Sequence, residues 1–487
     1  MFGDYVFEKS SAQYTDKILL LDDENLNRRA NYISAFSAHG FEIIRYTDDL
    51  AFRIEYEEKL KTPGAKMAVI AHTEQYIPYD VLQRLSAYKI SLENLFPKLH
   101  PAMLKDMDKA GLDLLCAAYS ANFDDLRQKH DTEIFLRLKV YAIANVKAYL
   151  KKTTNDLIEK AKNVSRYTDW FSIAAEKAQL DVMAVQYDVD LDTQEINHLF
   201  QQYVLAQFGK LSQNIDKASP VIVSKVMDYI HDHSNKFIVV VMDGMSEFDW
   251  LIISGSFKNV KYEKTSMFAM IPSTTSISRQ CLLSGKYPSQ LLEPWKQSKE
   301  KLEFVNCAKS MGYSDLQIGY ERGYDAQFGV FVKCGVVIIN DIDDMVHSQK
   351  QGRIGMFNDI TLLANQKKLL DMTQRFINDG YDVYITADHG NTACIGLGKL
   401  MGTGVEVQTK SRRMIVLKDF ADIDGLIEKY GLSEYPKYYL PKEYDYLICD
   451  VYDSFDAKGD EVMTHGGITL DEVVVPFIKI KAGEKNG

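Results

Sequence analysis

The sequence predicts an α/β protein whose largest part is a C-terminal parallel sheet flanked by helices. In this part, continuous apolar runs of strand length, such as Phe237–Met242, alternate with helical patterns, as is typical of parallel strands buried on both faces. The chain has no proline between Pro101 and Pro220 and only two glycines there, which predicts helices. Because 487 residues exceed one ordinary hydrophobic core, we expect three domains. They are a small open α/β unit at 1–75, a helical region at 76–235 and the sheet domain at 236–487.

The N-terminal unit is predicted from three short apolar runs at Lys17–Leu21, 41–46 and Met67–Ala71, with helical patterns between them. The run ending in Asp22 and Asp23 is similar to the start of a response-regulator receiver domain. At the third strand, however, the chain has Ala-His-Thr where a receiver presents its phosphoacceptor aspartate. We therefore interpret the two aspartates as a solvated strand end or a helix cap.

The helical region carries apolar residues at steps of three and four, which predicts a bundle of amphipathic helices. Its charged residues are interpreted as solvated helix faces, with a specific partner-binding surface as the alternative. The net charge of −11 argues against broad, non-specific nucleic-acid binding. A basic stretch at Lys399, Lys410, Arg412 and Arg413 is either a phosphate-binding rim or ordinary surface, and direct nucleic-acid binding is left open.

Cysteine usage and the N-terminus indicate the compartment. The six cysteines lie far apart without a CxxC spacing, which indicates reduced thiols. The N-terminus lacks the pattern of a signal peptide, and no apolar run has the length that spans a bilayer. We therefore expect a cytoplasmic protein that does not enter a membrane.

Two carboxylates in the sheet domain stand where predicted strands end. Asp243 follows Phe237–Met242, and Asp388 with His389 follows the run 381–387. Open α/β sheets bind ligands at the carboxyl ends of their strands, so these positions suit a site. Each residue alone could instead cap a helix or close a turn.

Two further groups supply a carboxylate and two imidazoles. Asp343 and His347 follow the strand run 335–340 and are four residues apart, so they can face the same ion from one helical turn. His465 lies at a turn before the last strand, Val474–Ile480. Carboxylate and imidazole together suit zinc or manganese.

A run of hydroxyl residues at 273–276 precedes a helical pattern. Thr275 is a candidate nucleophile there, because a helix N-terminus favours developing negative charge, although it could also be a helix cap. Arg279 is a candidate for holding a substrate phosphate oxygen, or is a charge on the helix surface. The three aspartates, three histidines and Thr275 are enough for two divalent ions, an arrangement used for displacement at phosphorus.

In this order, five phrases of the sequence resemble the alkaline phosphatase superfamily, and within it the PglZ domain of BREX phage-defence systems. They lie at 241–250, 272–279, 282–288, 385–391 and 465–476. The resemblance covers about residues 236–487 and, more weakly, the two preceding regions. It implies an alkaline-phosphatase-like sheet with two metal ions, usually zinc. Asp243, Thr275, Asp388 and His389 would hold one ion, and Asp343, His347 and His465 the other.

The resemblance also implies a function and partners. We expect a metal-dependent phosphoester hydrolase, specifically a phosphodiesterase, acting in a phage-defence system beside proteins such as a DNA methyltransferase or an ATPase. A phosphomonoesterase and a non-catalytic scaffold of a defence complex are the alternatives. Thr275 is preferred to its neighbour Thr274 as nucleophile, because its distance from Pro272 and from Gly285 matches the spacing in related phosphodiesterases.

Overall fold

The computed structural model of the protein describes residues 1–119, 125–398 and 411–483. The chain divides into two units, Met1–Tyr149 and Leu150–Gly487. The first unit contains the whole predicted α/β unit and the first part of the predicted helical region. The rest of that helical region belongs to the second unit, together with the predicted sheet domain. The division into three domains stays a prediction.

Unit 1 is built around a four-stranded parallel sheet with the strand order β2-β3-β1-β4. Its strands are β1 (Lys17–Leu21), β2 (Glu42–Arg45), β3 (Met67–Ala71) and β4 (Ser86–Lys89). The first three agree with the predicted runs, and β4 lies beyond the predicted boundary at residue 75. The order differs from the 2-1-3-4-5 order of receiver-type folds, in agreement with the rejection of that resemblance.

Nine α-helices lie in the described part of unit 1. They are α1 (Phe2–Lys9), α2 (Leu26–Ala30), α3 (Ile33–Ala38), α4 (Asp49–Lys61), α5 (Tyr79–Leu82), α6 (Leu92–Leu95), α7 (Pro101–Leu104), α8 (Lys109–Ala118) and α9 (Lys129–Phe135). Asp22 is buried and accepts the N–H groups of Leu26 and Asn27 at 2.8 and 2.9 Å. It therefore holds the start of α2, which is the helix-capping alternative rather than a solvated strand end.

Unit 2 begins within α10 (Ile143–Lys162) and contains a large central sheet covered by helices. The helices are α11 (Asp169–Gln186), α12 (Gln194–Gln207), α13 (Val226–His233), α14 (Glu247–Ser254), α15 (Thr275–Ser284), α16 (Glu300–Ser310), α17 (Asp341–Ser348), α18 (Gly352–Asn365), α19 (Lys368–Asn378), α20 (Ile423–Tyr430) and α21 (Leu470–Val473). None of the helices in the described parts of the chain is long and apolar enough to cross a membrane.

The central sheet of unit 2 has six strands in the order β6-β16-β9-β5-β8-β7. They are β5 (Phe237–Met242), β6 (Glu263–Phe268), β7 (Ile318–Arg322), β8 (Cys334–Ile339), β9 (Asp382–Thr386) and β16 (Val474–Ile480). The four strands from β9 to β7 are parallel, and β16 runs antiparallel to β9 and β6. All residues of β5 and β8 are buried, as expected for strands covered on both faces. The predicted fold class, a mostly parallel sheet flanked by helices, is confirmed.

Two small sheets complete unit 2. They consist of β10 (Thr392–Gly396), β14 (Asp453–Ser454) and β15 (Glu461–Thr464), and of β11 (Met414–Leu417), β12 (Ser433–Glu434) and β13 (Asp445–Ile448). In the first, β10 and β15 pair antiparallel with Thr392 opposite Thr464. This register brings together the segments that follow β9 and precede α21.

Helices α11 and α12 share a core with the central sheet. The ring of Phe268 at the end of β6 lies 5.1 Å from that of Phe171 in α11 and 6.4 Å from that of Phe200 in α12. The fully buried ammonium of Lys177 in α11 bonds Asp181 in the same helix and Asp471 in α21, each at 2.8 Å. The second half of the predicted helical region is therefore part of the sheet's own core.

We predict that Lys177→Met destabilises the protein by about 3–5 kcal/mol, because it leaves the buried carboxylates of Asp181 and Asp471 with one cation, Arg353, in place of two. The matched control is Lys160→Met, which removes the ion pair of Lys160 with Glu176 on the surface and is expected to cost at most about 1 kcal/mol. Thermal unfolding of the full chain measures both. Equal shifts of the two melting temperatures would contradict a structural role for the buried cluster.

Candidate functional site

The candidate site lies where the parallel strands of the central sheet end. Strands β9, β5 and β8 are neighbours, so their carboxyl ends meet at one edge. Asp243 follows β5, Asp388 follows β9, and Asp343 lies in the first turn of α17 just after β8. Three predicted carboxylates are thus brought to one edge by the topology alone.

Asp243, Asp388 and His389 form a group that we name the first cluster. All three are buried, and their ligand atoms lie within 4.8 Å of one another. The Nε2 atom of His389 is 3.6 Å from Asp243 Oδ1 and 3.9 Å from Asp388 Oδ2. Thr275, the first residue of α15, points its hydroxyl into this cluster. Its Oγ1 atom lies 3.4 Å from Asp243 Oδ1 and 3.2 Å from His389 Nε2.

Asp343, His347 and His465 form the second cluster, which is more exposed than the first. The Oδ1 atom of Asp343 lies 3.4 Å from His347 Nε2 and 3.3 Å from His465 Nε2. The two imidazole Nε2 atoms are 3.5 Å apart. The ring of His465 also stacks on that of His389, with ring centroids 4.2 Å apart. The two clusters are therefore in direct contact through these two rings.

Backbone carbonyls orient two of the three imidazoles. The Nδ1 atom of His389 lies 3.0 Å from the carbonyl of Gly390, and that of His465 lies 2.9 Å from the carbonyl of Ser273. A carbonyl accepts only, so each Nδ1 carries a hydrogen, and Nε2 is the nitrogen that faces the carboxylates of the clusters. This is the arrangement in which a histidine binds a metal through Nε2.

The donors of both clusters fit divalent cations. Asp388 Oδ2 and Asp343 Oδ1 are buried atoms without a hydrogen-bond donor, and both face their clusters. A buried carboxylate oxygen that lacks a partner costs free energy, which a bound cation would remove. Among the residues that the structure describes, these are the two sets of three or more acidic, histidine or cysteine side chains arranged to share an ion. Oxygen and imidazole donors suit zinc and manganese.

The charges of the first cluster are poorly balanced within the protein. Burial raises the pKa of Asp243 and that of Asp388, and Arg279 offsets only part of this effect. Burial, and then the charge of His465, lowers the pKa of His389, which favours its neutral ring. A cation bound between these groups would favour the ionised carboxylates and the neutral imidazole together.

In the second cluster, the carboxylate and imidazoles stabilise one another. Burial raises the pKa of Asp343, but the neighbouring imidazoles of His347 and His465 outweigh burial and lower that pKa overall. Burial lowers the pKa of His465, but Asp343 outweighs it and raises that pKa overall. Asp343 is therefore the ionised member that draws the two rings together.

Residues 221–480 match a family described as the BREX system PglZ alkaline phosphatase-like domain, which covers 260 of the 487 residues. The chain belongs to the PglZ family. The match begins before the predicted boundary at residue 236 and contains every residue of both clusters and Thr275. The predicted resemblance to this family is confirmed.

Comparison with solved structures finds matches with low sequence identities and low TM-scores. Murine ectonucleotide pyrophosphatase/phosphodiesterase 5 is 13% identical, with a TM-score of 0.35 over 50% of this chain and 88% of that chain. The human protein of the same name is 14% identical, with a TM-score of 0.35 over 50% and 87%. Phosphonoacetate hydrolase from Sinorhizobium meliloti 1021 with phosphonoformate is 11% identical, with a TM-score of 0.34 over 50% and 90%. No curated protein matches the sequence.

In the PglZ domain, Glu472 holds the loop after His389 and the loop after His465 together. Glu472 is not among the site residues predicted from the sequence. The backbone carbonyl of Glu472 accepts the N–H of Gly390 at 2.8 Å. Its carboxylate accepts the N–H groups of Gly467 and Thr469 at 2.8 and 3.0 Å, and also bonds the buried guanidinium of Arg413. Glu472 thereby fixes the loop after His465 against the loop after His389.

Three further polar residues of the PglZ domain position the ligands. The Ser278 hydroxyl donates to the carbonyl of Asp388, and the Ser273 hydroxyl donates to the carbonyl of Gly467 at 2.9 Å. The Asn391 amide donates to the carbonyl of Gly244 at 2.9 Å. All three lie inside the phrases that carry the family resemblance, and this was the signal that could have identified them.

Arg279 does not occupy either of its expected positions. Its guanidinium is fully buried, donates from Nη1 to Asp243 Oδ2 and from Nε to Glu300 Oε2, both at 2.7 Å, and is not on the helix surface. Because it lies behind Asp243, the geometry does not support contact with a substrate phosphate. The helix-surface alternative is wrong, because a charge one turn into a helix has the same sequence pattern whether it faces inward or outward.

Arg413 of the basic stretch fits neither of the two interpretations given to that stretch. Arg413 is buried against Glu472, and Arg412 bonds Asp456 at 2.8 Å. Lys399 and Lys410 lie outside the described residues. Of the two threonines, Thr275 faces the first cluster, whereas Thr274 is buried with its hydroxyl unpaired, which supports Thr275 as the reactive residue.

We predict that Gly390→Ala costs about 1–3 kcal/mol of stability, because its methyl group would lie 2.0 Å from the backbone oxygen of Asp471 and force the two loops apart. Gly255→Ala is the control, since a methyl group there meets nothing within 4 Å. It should change stability by less than about 1 kcal/mol. Thermal unfolding measures both variants. Melting temperatures equal to that of the wild type in both would contradict a stabilising contact between the two loops.

Proposed function

We propose that this PglZ-family protein is a metal-dependent phosphoester hydrolase and that its substrates are phosphodiesters. The observation that carries the proposal is the position of Thr275. Its hydroxyl is the first side chain of a ten-residue helix and faces a cluster of two carboxylates and an imidazole, beside a second cluster of one carboxylate and two imidazoles.

Seven residues would hold two divalent ions, for which zinc is proposed and manganese is the alternative. Asp243, Thr275, Asp388 and His389 would hold one ion, and Asp343, His347 and His465 the other. When bound, two such ions activate a hydroxyl and neutralise the charge that develops on phosphate oxygens. The unpaired oxygens of Asp388 and Asp343 support this assignment.

The protein's own groups would position the reaction as a double displacement. Thr275 Oγ1 attacks phosphorus, the bond from phosphorus to the leaving oxygen breaks, and a phosphothreonine ester forms. Thr275 is partly exposed, so its proton can pass to water. A water molecule then attacks the same phosphorus, breaks the bond to Thr275 and restores its hydroxyl. The free N–H groups in the first turn of α15 favour the negative charge at this position.

The family places the chain in the context of BREX defence systems, and we propose partners on that basis. The protein would act in the cytoplasm with other defence proteins, such as a DNA methyltransferase or an ATPase. The free thiols of its six cysteines support a reducing compartment.

We predict that Thr275→Val lowers kcat for bis-p-nitrophenyl phosphate by more than about 10³-fold, because it removes the hydroxyl that contacts the side chains of Asp243 and His389. Thr274→Val is the matched control, as it removes the neighbouring hydroxyl with the same change of shape. Its activity should stay within about 3-fold of wild type. Equal losses of activity in the two variants would show that the assignment of Thr275 as nucleophile is wrong. A preference of the wild type for p-nitrophenyl phosphate over the diester would indicate a monoesterase.

Metal analysis tests the ligand sets separately from activity. The wild-type protein should bind two ions per chain, whereas Asp388→Ala should lose one ion and all metal-dependent hydrolysis of the aryl diester. Asp382→Ala is a control, since that carboxylate bonds Lys481 away from both clusters. Full activity of Asp388→Ala would rule out this site. A wild-type protein without metal or activity would favour the scaffold role instead.

A further inference from the structure

Arg279 occupies an unusual position for a buried cation, directly behind the first cluster. It lies one turn after Thr275 in α15 and points away from solvent. Its Nη1 atom lies 2.7 Å from Asp243 Oδ2 and 3.8 Å from Asp388 Oδ2. One guanidinium therefore faces both carboxylates of the cluster from the side opposite the reactive hydroxyl.

Because of the bond from Arg279, the two carboxylate oxygens of Asp243 have different partners. Oδ2 is taken by the guanidinium, whereas Oδ1 lies 3.4 Å from Thr275 Oγ1 and 3.6 Å from His389 Nε2. A carboxylate that is free to rotate can offer either one or both oxygens to an ion. With Oδ2 occupied, Asp243 presents a single oxygen in a fixed direction.

Arg279 is itself held in place by Glu300. The Nε atom donates to Glu300 Oε2 at 2.7 Å, and this carboxylate is buried. The other oxygen, Oε1, accepts the hydroxyl of Tyr320 at 2.5 Å and bonds the guanidinium of Arg322. Tyr320 and Arg322 belong to β7, so the chain of contacts runs from the central sheet to the ligand.

A lysine would not serve in this place. The planar guanidinium reaches Asp243 and Glu300 at the same time through two differently directed N–H groups, whereas an ammonium is a compact point charge on a flexible stem. The position therefore depends on the shape of the side chain as well as on its charge.

We propose that Arg279 is a positioning residue that restricts Asp243 to one ligand oxygen at the first metal ion, and that Glu300 holds Arg279 for this task. The inference rests on the proposed function, since it requires an ion at the first cluster. It replaces the expected contact of Arg279 with substrate by an action through Asp243.

The test compares Arg279→Lys and Glu300→Gln with Arg353→Lys in the full-length protein. Arg353 is the matched control, because it is also an inward-facing arginine paired with two carboxylates, Asp181 and Asp471, but contacts no proposed ligand. Zinc affinity is measured by competition with a chromophoric chelator, and the coordination number from the visible spectrum of the cobalt-substituted protein. The kcat and KM for bis-p-nitrophenyl phosphate are measured in parallel.

We expect Arg279→Lys to weaken binding of one of the two zinc ions about 10–100-fold, the usual effect of losing a residue that orients a ligand. Glu300→Gln should weaken the same ion by a smaller factor. Both variants should lower the intensity of the cobalt bands, because Asp243 can then bind through both oxygens, and both should lower kcat more than KM. Arg353→Lys should lower the melting temperature and leave the cobalt spectrum unchanged.

The inference would be overturned if Arg279→Lys and Glu300→Gln both kept the zinc affinity and the cobalt spectrum of the wild type, even with lowered melting temperatures. Glu300→Gln keeps the guanidinium in the fold, so it decides the question if Arg279→Lys does not fold. A wild-type protein that binds no zinc or cobalt would instead refute the proposed function. Wild-type metal binding with unaltered variants refutes the positioning role alone.

Discussion

Repulsion among three carboxylates at one sheet edge is the constraint on which the rest of unit 2 depends. Asp243 and Asp388 have oxygen atoms within 4.8 Å of each other in a buried setting. At an effective dielectric constant of about 20, two unit charges at such a distance repel by about 3 kcal/mol. The fold supplies Arg279 as one fixed counter-charge and two imidazoles that backbone carbonyls orient. Bound divalent cations would offset the remaining repulsion among the carboxylates. The arrangement that destabilises the fold without metal is therefore also one that suits a metal centre.

Holding these ligands in place is the task of residues outside the clusters. The loops after β9 and β15 are joined through Glu472 and by the pairing of β10 with β15. Helices α11 and α12 cover the sheet, and α11 reaches α21 through Lys177 and Asp471. The segment that carries His465 is thereby fixed from two sides. Such support is needed because a catalytic group displaced by about 1 Å can lose much of its effect.

The positions of the ligands could be predicted from the sequence because they follow from strand ends. A buried parallel strand has a recognisable apolar run, and parallel neighbours place their ends at one edge, so Asp243, Asp343 and Asp388 could be grouped without coordinates. The inward direction of Arg279, the clamp by Glu472 and the burial of Arg413 could not be predicted. These depend on contacts between residues far apart in the chain, which local pattern and spacing do not encode. The membership of α11 and α12 in the core of unit 2 was missed for the same reason.

The central claim is that the two clusters hold two metal ions beside Thr275, and anomalous X-ray scattering from crystals of the purified protein tests it most directly. The account predicts two anomalous peaks per chain at the zinc or manganese absorption edge. One should lie among Asp243, Thr275, Asp388 and His389, and the other among Asp343, His347 and His465. A structure determined with either metal present that showed no peak at these residues, or peaks only elsewhere, would contradict it.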